Sequence, residues 1–418
     1  MENQASSRWL LSICVAYGLV MLVFLNYAAV LPLIQKEWRL SGAAAGSIFS
    51  AYQVGYILSA VLLTSLTDRF NTKYIFVGSA LWSALANILF ALFATDLSSA
   101  LVLRALAGLG MGGTYMPGLK MVADRFASAE RGKAVGLYTS AFVFGAAASV
   151  AVAGGVAAVA GWRMAIFTTA IGALIGSTLS WEILRDHRQP CPAPGPRPFT
   201  AEVLRNTPAL LMMGTYAGHM WEMYGMRAWM AAFLTASFFS MGYELERAAG
   251  IGANATAAIV AVGGFATGLA GMLSDRIGRT RTVTLVMSLS AVCSFAFGWL
   301  FGASPALLLG VGFLYSFLVV AESPVLSAGL TELVSGRYLG AAMGMQTLFG
   351  FLAASLSPPI FGYILDLTNP QVVARGVAVT THWGYAFSVL GVGALLGPIC
   401  MAILRRLPAC ARMANGRG

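Results

Sequence analysis

The sequence predicts an all-α membrane protein with twelve transmembrane helices in two pseudo-symmetric halves of six, and three observations support this fold class. The 418-residue chain is 58% hydrophobic and only 10% charged, whereas soluble domains carry about a quarter charged residues. Long apolar runs recur from Leu10 to Leu404, and each can cross the roughly 30 Å hydrocarbon core of a bilayer. Features of the first half also recur 207 or 208 residues later in the second half.

Twelve apolar segments have the length of a membrane span, and most connections between them are short, as in helical hairpins. The 47 glycines fit this arrangement, because small residues let membrane helices approach closely. The predicted spans are residues 9–30, 44–66, 74–94, 98–120, 134–158, 162–183, 207–235, 251–273, 282–301, 305–328, 340–364 and 383–404.

The connection at residues 185–206 differs from the others. It contains five prolines and four arginines, a composition that breaks helices and stays solvated. We therefore predict an N-terminal six-helix half at residues 1–184, a cytoplasmic linker at 185–206 and a C-terminal six-helix half at 207–418.

The net charge of +10 follows from membrane topology and gives no reason to expect nucleic acid as a partner. If the N-terminus is cytoplasmic and the spans alternate, most of the 26 lysines and arginines fall on the cytoplasmic side, as the positive-inside rule requires. The prediction is a multi-pass monomer in the lipid bilayer of a bacterial cytoplasmic (inner) membrane, with both termini cytoplasmic. The five cysteines are scattered without CxxC spacing, so neither a disulfide nor a zinc site is expected.

The two halves share positions at a constant offset. The shared features are an Asp-Arg pair after the second span of each half, a proline in the fourth span and a glycine before the fifth. The pairs are Asp68 and Asp275, Pro117 and Pro324 (offset 207 for both), and Gly132 and Gly340 (offset 208). Internal repeats with a substrate site between them are typical of secondary transporters.

Residues 271–281, GMLSDRIGRTR, resemble the G-x-L-x-D-R-x-G-R-[KR] signature of the major facilitator superfamily. Span four adds Arg104 and Gly108, similar to an R-x-x-x-G pattern of that family. The resemblance implies a transporter of small molecules that works by alternating access, with no cofactor and no enzymatic activity. It also implies a gating role for the signature loops, although these residues could instead only set topology. The loop residues are Asp68, Arg69 and Lys73 in the first copy and Gly271, Asp275, Arg276, Gly278 and Arg279 in the second.

Span five argues against one branch of this family. Drug/proton antiporters carry a G-x-x-x-G-P-x-x-G-G pattern there, and residues 145–155 contain no proline. Residues 26–34 and 50–56 are more similar to uptake-type members near the cyanate and nitrate permeases. Nitrate itself is disfavoured, because spans two and eight lack the arginines that nitrate porters use.

Ionisable residues inside spans are functional candidates, because a charge in the bilayer is costly. The candidates for substrate binding or proton coupling are Arg104, His219, Glu222, Arg227 and Glu322. Five polar residues of spans one and two are candidates to line the cavity, or else they only pack between helices. They are Asn26, Tyr27, Tyr52, Gln53 and Tyr56.

His219 and Glu222 have i, i+3 spacing, so the sequence predicts that they share a face of span seven. Such a pair could exchange protons or could be a neutral hydrogen bond that fixes packing. Arg227 could bind an anion or could extend to lipid headgroups. Glu322 lies beside the helix-bending Pro324 and suits a gate or a coupling site, or a salt bridge at the rim. By resemblance to the family, Arg104 is a candidate for binding substrate charge or for a proton relay, and the alternative is a structural pairing with a polar group of span one.

The leading hypothesis is therefore a proton-coupled symporter for a small organic anion. The alternatives are efflux of a drug or toxic metabolite, and uptake of a vitamin or a copper-type metal. The metal alternative rests on His219 and nearby methionines of span seven, but methionine at helical spacing is usually apolar filler, and no metal ligand set is predicted. A non-transporting sensor with this fold has no supporting feature, because no soluble domain is predicted.

Overall fold

A computed structural model describes residues 2–66, 70–126, 128–185, 201–370 and 376–416. All regular elements in these ranges are helical. Asp68, Arg69 and most of the predicted linker lie outside the described residues.

The α-helices of the first half run from α1 to α7 and those of the second half from α9 to α16, with the short α8 before α9. They are α1 (Glu2–Val20), α2 (Asn26–Trp38), α3 (Gly42–Leu66), α4 (Thr72–Phe93), α5 (Leu97–Met111), α6 (Tyr115–Arg125), α7 (Ser128–Ile183), α8 (Ala201–Arg205), α9 (Thr207–Ser240), α10 (Leu245–Ile277), α11 (Arg279–Phe297), α12 (Pro305–Ala321), α13 (Ser323–Leu333), α14 (Leu339–Thr368), α15 (Gly384–Ala394) and α16 (Leu396–Arg405).

These helices account for the twelve predicted spans. Within the described ranges, nine helical segments are long and apolar enough to cross a membrane. The longest, Glu130–Ile183, has 54 residues and bends at Gly161, where φ is +80°, so it holds two spans. The helices α3 and α9, with 25 and 34 residues, are also longer than the roughly 20 residues that a span needs. The fold class predicted from the sequence is thereby confirmed.

The first span extends further than predicted, because the helix resumes after a break and ends at Trp38 instead of residue 30. A 3₁₀ turn, Met21–Val23, separates α1 from α2. Ser149 of α7 satisfies the polar groups freed at this break. Its hydroxyl donates to the carbonyl of Leu22 (2.5 Å) and accepts from the amide of Leu25 (3.1 Å). In a bilayer a helix can break only where such partners exist.

The two halves meet at one end of the bundle, here termed the far side, which carries the ends of α2 and α14 and the start of α3. The opposite end, the terminal side, carries the start of α1 and the ends of α10 and α16. On the far side, the carboxylate of Asp366 in α14 accepts hydrogen bonds from the amides of Gly42 (2.6 Å) and Ala43 (2.9 Å) at the start of α3. A carboxylate is favoured there because the helix N-terminus carries partial positive charge.

The helix backbones α3 and α14 touch on the far side. A Cβ at Gly42 would collide with the backbone of Gly362, and one at Gly46 would collide with Pro358. The backbones of α3 and α14 are thus in direct contact on the far side.

Replacing Asp366 by alanine should lower the Tm of the purified protein. The variant loses two charge-assisted hydrogen bonds between the halves, each contributing about 1.5–3 kcal/mol. Asp96 is the matched control, because it caps α5 within the first half by accepting a bond from the Ser99 amide (2.8 Å). Asp96→Ala should lower Tm less, because it removes one helix cap within the first half and no contact between the halves. Equal shifts for the two variants would contradict a special role for the contact between halves.

Candidate functional site

The first half contains a buried cation held by uncharged groups. Arg104 of α5 is 1% exposed. Its Nη1 donates to the side-chain oxygens of Asn26 (3.3 Å) and Asn87 (3.4 Å). The amide of Asn26 in turn donates to Asn87 (3.2 Å) and to the hydroxyl of Thr169 (3.0 Å). The helix break before α2 places Asn26 at the first turn of a helix inside the bundle, where its side chain reaches three other helices.

Two aromatic rings cover the remaining sides of Arg104. Its guanidinium carbon lies 4.5 Å from the ring centre of Tyr52 and 5.5 Å from that of Tyr27, within the range of cation–π attraction. Its Nε and Nη2 atoms have no hydrogen-bond partner among the described residues. The ion pairs formed in the described ranges do not include Arg104.

The pairing of Arg104 with span one, one of the two sequence-based alternatives, is therefore observed, but its partner is a neutral amide. An amide does not neutralise a guanidinium, and two donor groups stay free. A buried charge is stable only when it is paired and hydrogen-bonded. Among the described residues, Arg104 therefore keeps two donor nitrogens that no acceptor occupies.

The second half contains a buried acid–imidazole pair. His219 Nδ1 of α9 lies 3.0 Å from Glu322 Oε1, and both side chains are 0% exposed. The sequence predicted that His219 and Glu222 share a face of this helix and could act as a pair. In the structure the two side chains contact different partners: His219 contacts Glu322, and Glu222 contacts Ser290 of α11.

Glu222 lies against α11, where the hydroxyl of Ser290 donates to its Oε1 (2.9 Å). Nearby, Tyr315 of α12 donates to Ser294 (2.9 Å), which donates to the carbonyl of Phe387 (3.0 Å). Glu222 is 0% exposed. A buried carboxyl with an uncharged partner can gain or lose a proton in response to nearby charge.

Glu322 lies between α12 and α13, and Pro324 begins the next helix. Proline has no amide hydrogen and favours the first turn of a helix. Between α12 and α13, Glu322 keeps helical dihedral angles (φ −78°, ψ −18°), and its carboxylate reaches His219 of α9. The rim salt bridge considered from the sequence is excluded, because Glu322 is fully buried.

Aromatic residues from both halves fill the space between the two charged sites. Tyr56 of α3 stacks on Phe351 of α14 with ring centres 4.4 Å apart. Tyr224 of α9 lies 5.5 Å from Phe351 and 6.5 Å from Phe24. Tyr52 and Tyr56, two of the residues expected to line a cavity, thus lie in this aromatic region between the charged sites. Tyr27 instead contacts Arg104, and its hydroxyl donates to the carbonyl of Ala45 (3.0 Å).

Gln53 and Arg227 are both buried. Gln53 is 1% exposed, and its Oε1 has no partner in the described residues. Arg227 is 3% exposed, so the alternative in which it extends to lipid headgroups is wrong. Its guanidinium carbon lies 5.9 Å from the ring centre of Tyr224.

The signature loop of the second half forms an ion-pair cluster. Arg279 contacts Asp275 (2.6 Å) and Glu332 of α13 (3.0 Å). Burial acts to lower the pKa of Arg279, but hydrogen bonds to Glu332 and Asp275 outweigh it and hold the pKa above its ordinary value. Gly278 starts α11 with φ +99°, a conformation that requires glycine.

The other signature residues lie further from this cluster. Arg276 is exposed, and Gly271 faces open space. In the first half, Lys73 donates to the carbonyl of Arg185 (3.3 Å) and lies 4.2 Å from the ring of Trp181.

Sequence analysis missed Asn87, Ser290, Tyr224 and Phe351. Polar residues such as Asn87 in an apolar span were a usable signal, because they need a buried partner. Ser290, Tyr224 and Phe351 carried no signal, since serines and aromatic residues are frequent in membrane helices.

Comparison with known proteins gives three concordant results. A family model described as Major Facilitator Superfamily matches residues 13–358 and 226–415. The "Probable sulfoacetate transporter SauU" of Cupriavidus necator is 25% identical, covering 91% of this chain and 90% of its own length. The "Probable 4-methylmuconolactone transporter" of Cupriavidus pinatubonensis is 26% identical, covering 88% and 85%.

A solved structure has the same fold. It is a bacterial homologue of the human lysosomal transporter Spinster, in an inward-facing and unoccupied conformation. The TM-score is 0.77 at 15% identity, and the alignment covers 96% of this chain and 97% of the other.

Replacing Arg104 by glutamine should raise the Tm of the purified protein in plain buffer, because the variant removes a buried, unneutralised cation. Arg163 in the same half is the matched control. Its guanidinium donates to the carbonyls of Ala91 (3.0 Å) and Ala94 (2.8 Å) at the end of α4, so Arg163→Gln should lower Tm. A fall in Tm for Arg104→Gln as large as that for Arg163→Gln would show that Arg104 is structural.

Proposed function

The chain belongs to the major facilitator superfamily, and we propose that it carries a small organic anion together with protons across the bacterial cytoplasmic membrane by alternating access. It is a multi-pass membrane transporter of solutes and not an enzyme. The proposal concerns the charge of the solute, the coupling ion and the membrane. Both charged sites belong to one chain, so a monomer suffices.

The proposal rests mainly on the environment of the Arg104 guanidinium. The guanidinium is buried in the first half, and among the described residues two of its nitrogens have no acceptor and no carboxylate is paired with it. A guanidinium binds carboxylate and sulfonate groups through parallel hydrogen bonds. A solute with such a group would supply the missing charge and the missing acceptors at once.

The three protonatable groups of the second half supply the coupling site. Glu222, Glu322 and His219 are all fully buried. A carboxylate that loses its proton in this environment pays a large desolvation penalty. We propose that these acids are protonated when the anion is bound. The loaded transporter then carries little net buried charge while it changes between its two open conformations.

Alternating access requires the far-side contact to break and the terminal side to close. We propose that the far side faces the periplasm, because basic residues concentrate on the terminal side. Opening then releases Asp366 from the start of α3. Closure on the other side would bring the signature loops, with Asp275 and Arg279, against the opposite half.

The names of two relatives support the class of solute. Sulfoacetate carries a sulfonate and a carboxylate, and 4-methylmuconolactone carries a carboxylate. At 25% and 26% identity these relatives suggest a class of solute and not a particular compound.

Reconstituted protein should take up organic anions faster when the pH outside the vesicles is lower than inside. The test measures uptake of sulfoacetate, succinate, muconate and benzoate into proteoliposomes, with the membrane potential clamped to isolate the pH gradient. In Glu322→Gln and in Glu222→Gln, the gradient-driven uptake rate should fall by more than about tenfold, as expected for loss of an essential proton-transfer group.

Glu246→Gln is the matched control, because Glu246 is an exposed acid of the same half. It should keep the wild-type response. The proposal fails if wild-type uptake ignores the pH gradient, or if both buried-acid variants respond to it like wild type.

A further inference from the structure

The second half contains its own buried arginine, which, like Arg104, lies against a tyrosine ring. Arg227 is 3% exposed, and the ion pairs in the described ranges do not include it. Its recorded contact is with the ring of Tyr224 at 5.9 Å. The proton-coupling site does not neutralise Arg227, since His219 is paired with Glu322, and Glu222 contacts Ser290.

Arg227 lies on the same face of α9 as Tyr224, which contacts the other half. With about 100° of rotation per residue, Tyr224 and Arg227 are about 60° apart around the helix. The ring of Tyr224 lies 6.5 Å from that of Phe24 in the first half. Tyr216 and Met220, on the same face, lie next to Gly350 of α14 in their own half. Arg227 is thus placed near the point where Tyr224 reaches the first half.

A row of aromatic rings connects the two arginines. Arg104 lies over Tyr52 at 4.5 Å, and the ring of Tyr52 lies 6.0 Å from that of Phe24. Phe24 lies 6.5 Å from Tyr224, which contacts Arg227. Two cations without carboxylate partners therefore occupy the two ends of one aromatic row, and each end belongs to a different half.

We propose that Arg227 is a second anion-binding residue, and that the transported solute carries two acidic groups, one for each arginine. The chemical class is a dicarboxylate, or a sulfonate with a carboxylate, whose planar or apolar body contacts the aromatic row. A single anionic group would leave one buried guanidinium without a counter-charge, and the burial of an unpaired charge is strongly disfavoured.

Two-point binding gives the solute a role in joining the halves. If one acidic group of the solute binds Arg104 and the other binds Arg227, one molecule is attached to both halves. The occupied transporter then has an attraction between its halves that the empty transporter lacks. This deepens the proposed function and rests on it, because it assumes that Arg104 binds an anion.

The test compares matched acids by calorimetric titration of purified protein at neutral pH. One pair is hexa-2,4-dienoate and muconate, which share a six-carbon diene and differ by one carboxylate. The other pair is butyrate and succinate. Wild type should bind each dicarboxylate about 10- to 100-fold more tightly than its monocarboxylate partner, as expected for one additional charge-assisted contact.

Substitutions separate the two arginines. Arg227→Gln should bring the dicarboxylates down to the affinity of the monocarboxylates and leave the latter unchanged. Arg227→Lys keeps the positive charge but lacks the planar guanidinium. Its affinity for the dicarboxylates should therefore lie between those of wild type and Arg227→Gln. Arg104→Gln should weaken both classes. Arg247→Gln is the control, because Arg247 is an exposed arginine of the same half.

The outcomes distinguish this inference from the proposed function. If wild type binds both members of each pair equally and Arg227→Gln changes neither, the second site is wrong and the anion site at Arg104 stands. If Arg227→Gln weakens both classes to the same extent, the arginines share one anionic group, and the two-acid solute is wrong. If wild type binds none of the four acids, the inference and the anion-transport proposal both fail. Monodisperse elution of Arg227→Gln and Arg227→Lys establishes that they are folded.

Discussion

The architecture depends on one constraint, which is that a charge inside the bilayer must be neutralised by something. Arg104 is the residue on which this constraint acts most strongly, because amides and rings surround it and two of its nitrogens are free. The fold retains this unfavourable group, and it retains carboxyl groups in the opposite half. In the proposed cycle, an anion binds in the first half and protons bind in the second, which links solute and proton without direct contact between their sites.

Junctions between consecutive helices place the groups that the charges need. In the first half, the 3₁₀ turn Met21–Val23 lets α2 start inside the bundle, which brings Asn26 to Arg104. In the second half, Glu322 lies between α12 and α13 with helical dihedral angles, and its carboxylate contacts His219. The freed backbone groups at the 3₁₀ turn are satisfied by Ser149, so the break is stable in an apolar medium.

The fold could be predicted from the sequence almost completely, because membrane insertion demands long apolar segments that are visible without any tertiary information. The ionisable candidates were equally visible, since Arg104 or Glu322 is conspicuous in an apolar span. Their partners were not, because a pairing such as His219 with Glu322 joins residues 103 positions apart. The spacing rule that suggested Glu222 holds within one helix, whereas in a bundle the neighbouring helices decide which side chains meet. Asp366 illustrates the same point, because its partners are backbone amides at the start of α3.

The claim that anion binding and protonation are linked can be tested most directly by counting protons during binding. Purified protein in weakly buffered detergent solution is mixed with sulfoacetate or muconate at neutral pH, and an indicator dye reports the change in free protons. The account predicts net proton uptake by the protein as the anion binds, because the solute's negative charge favours the protonated form of the buried acids. Anion binding that leaves the proton count unchanged, or that releases protons, would contradict it.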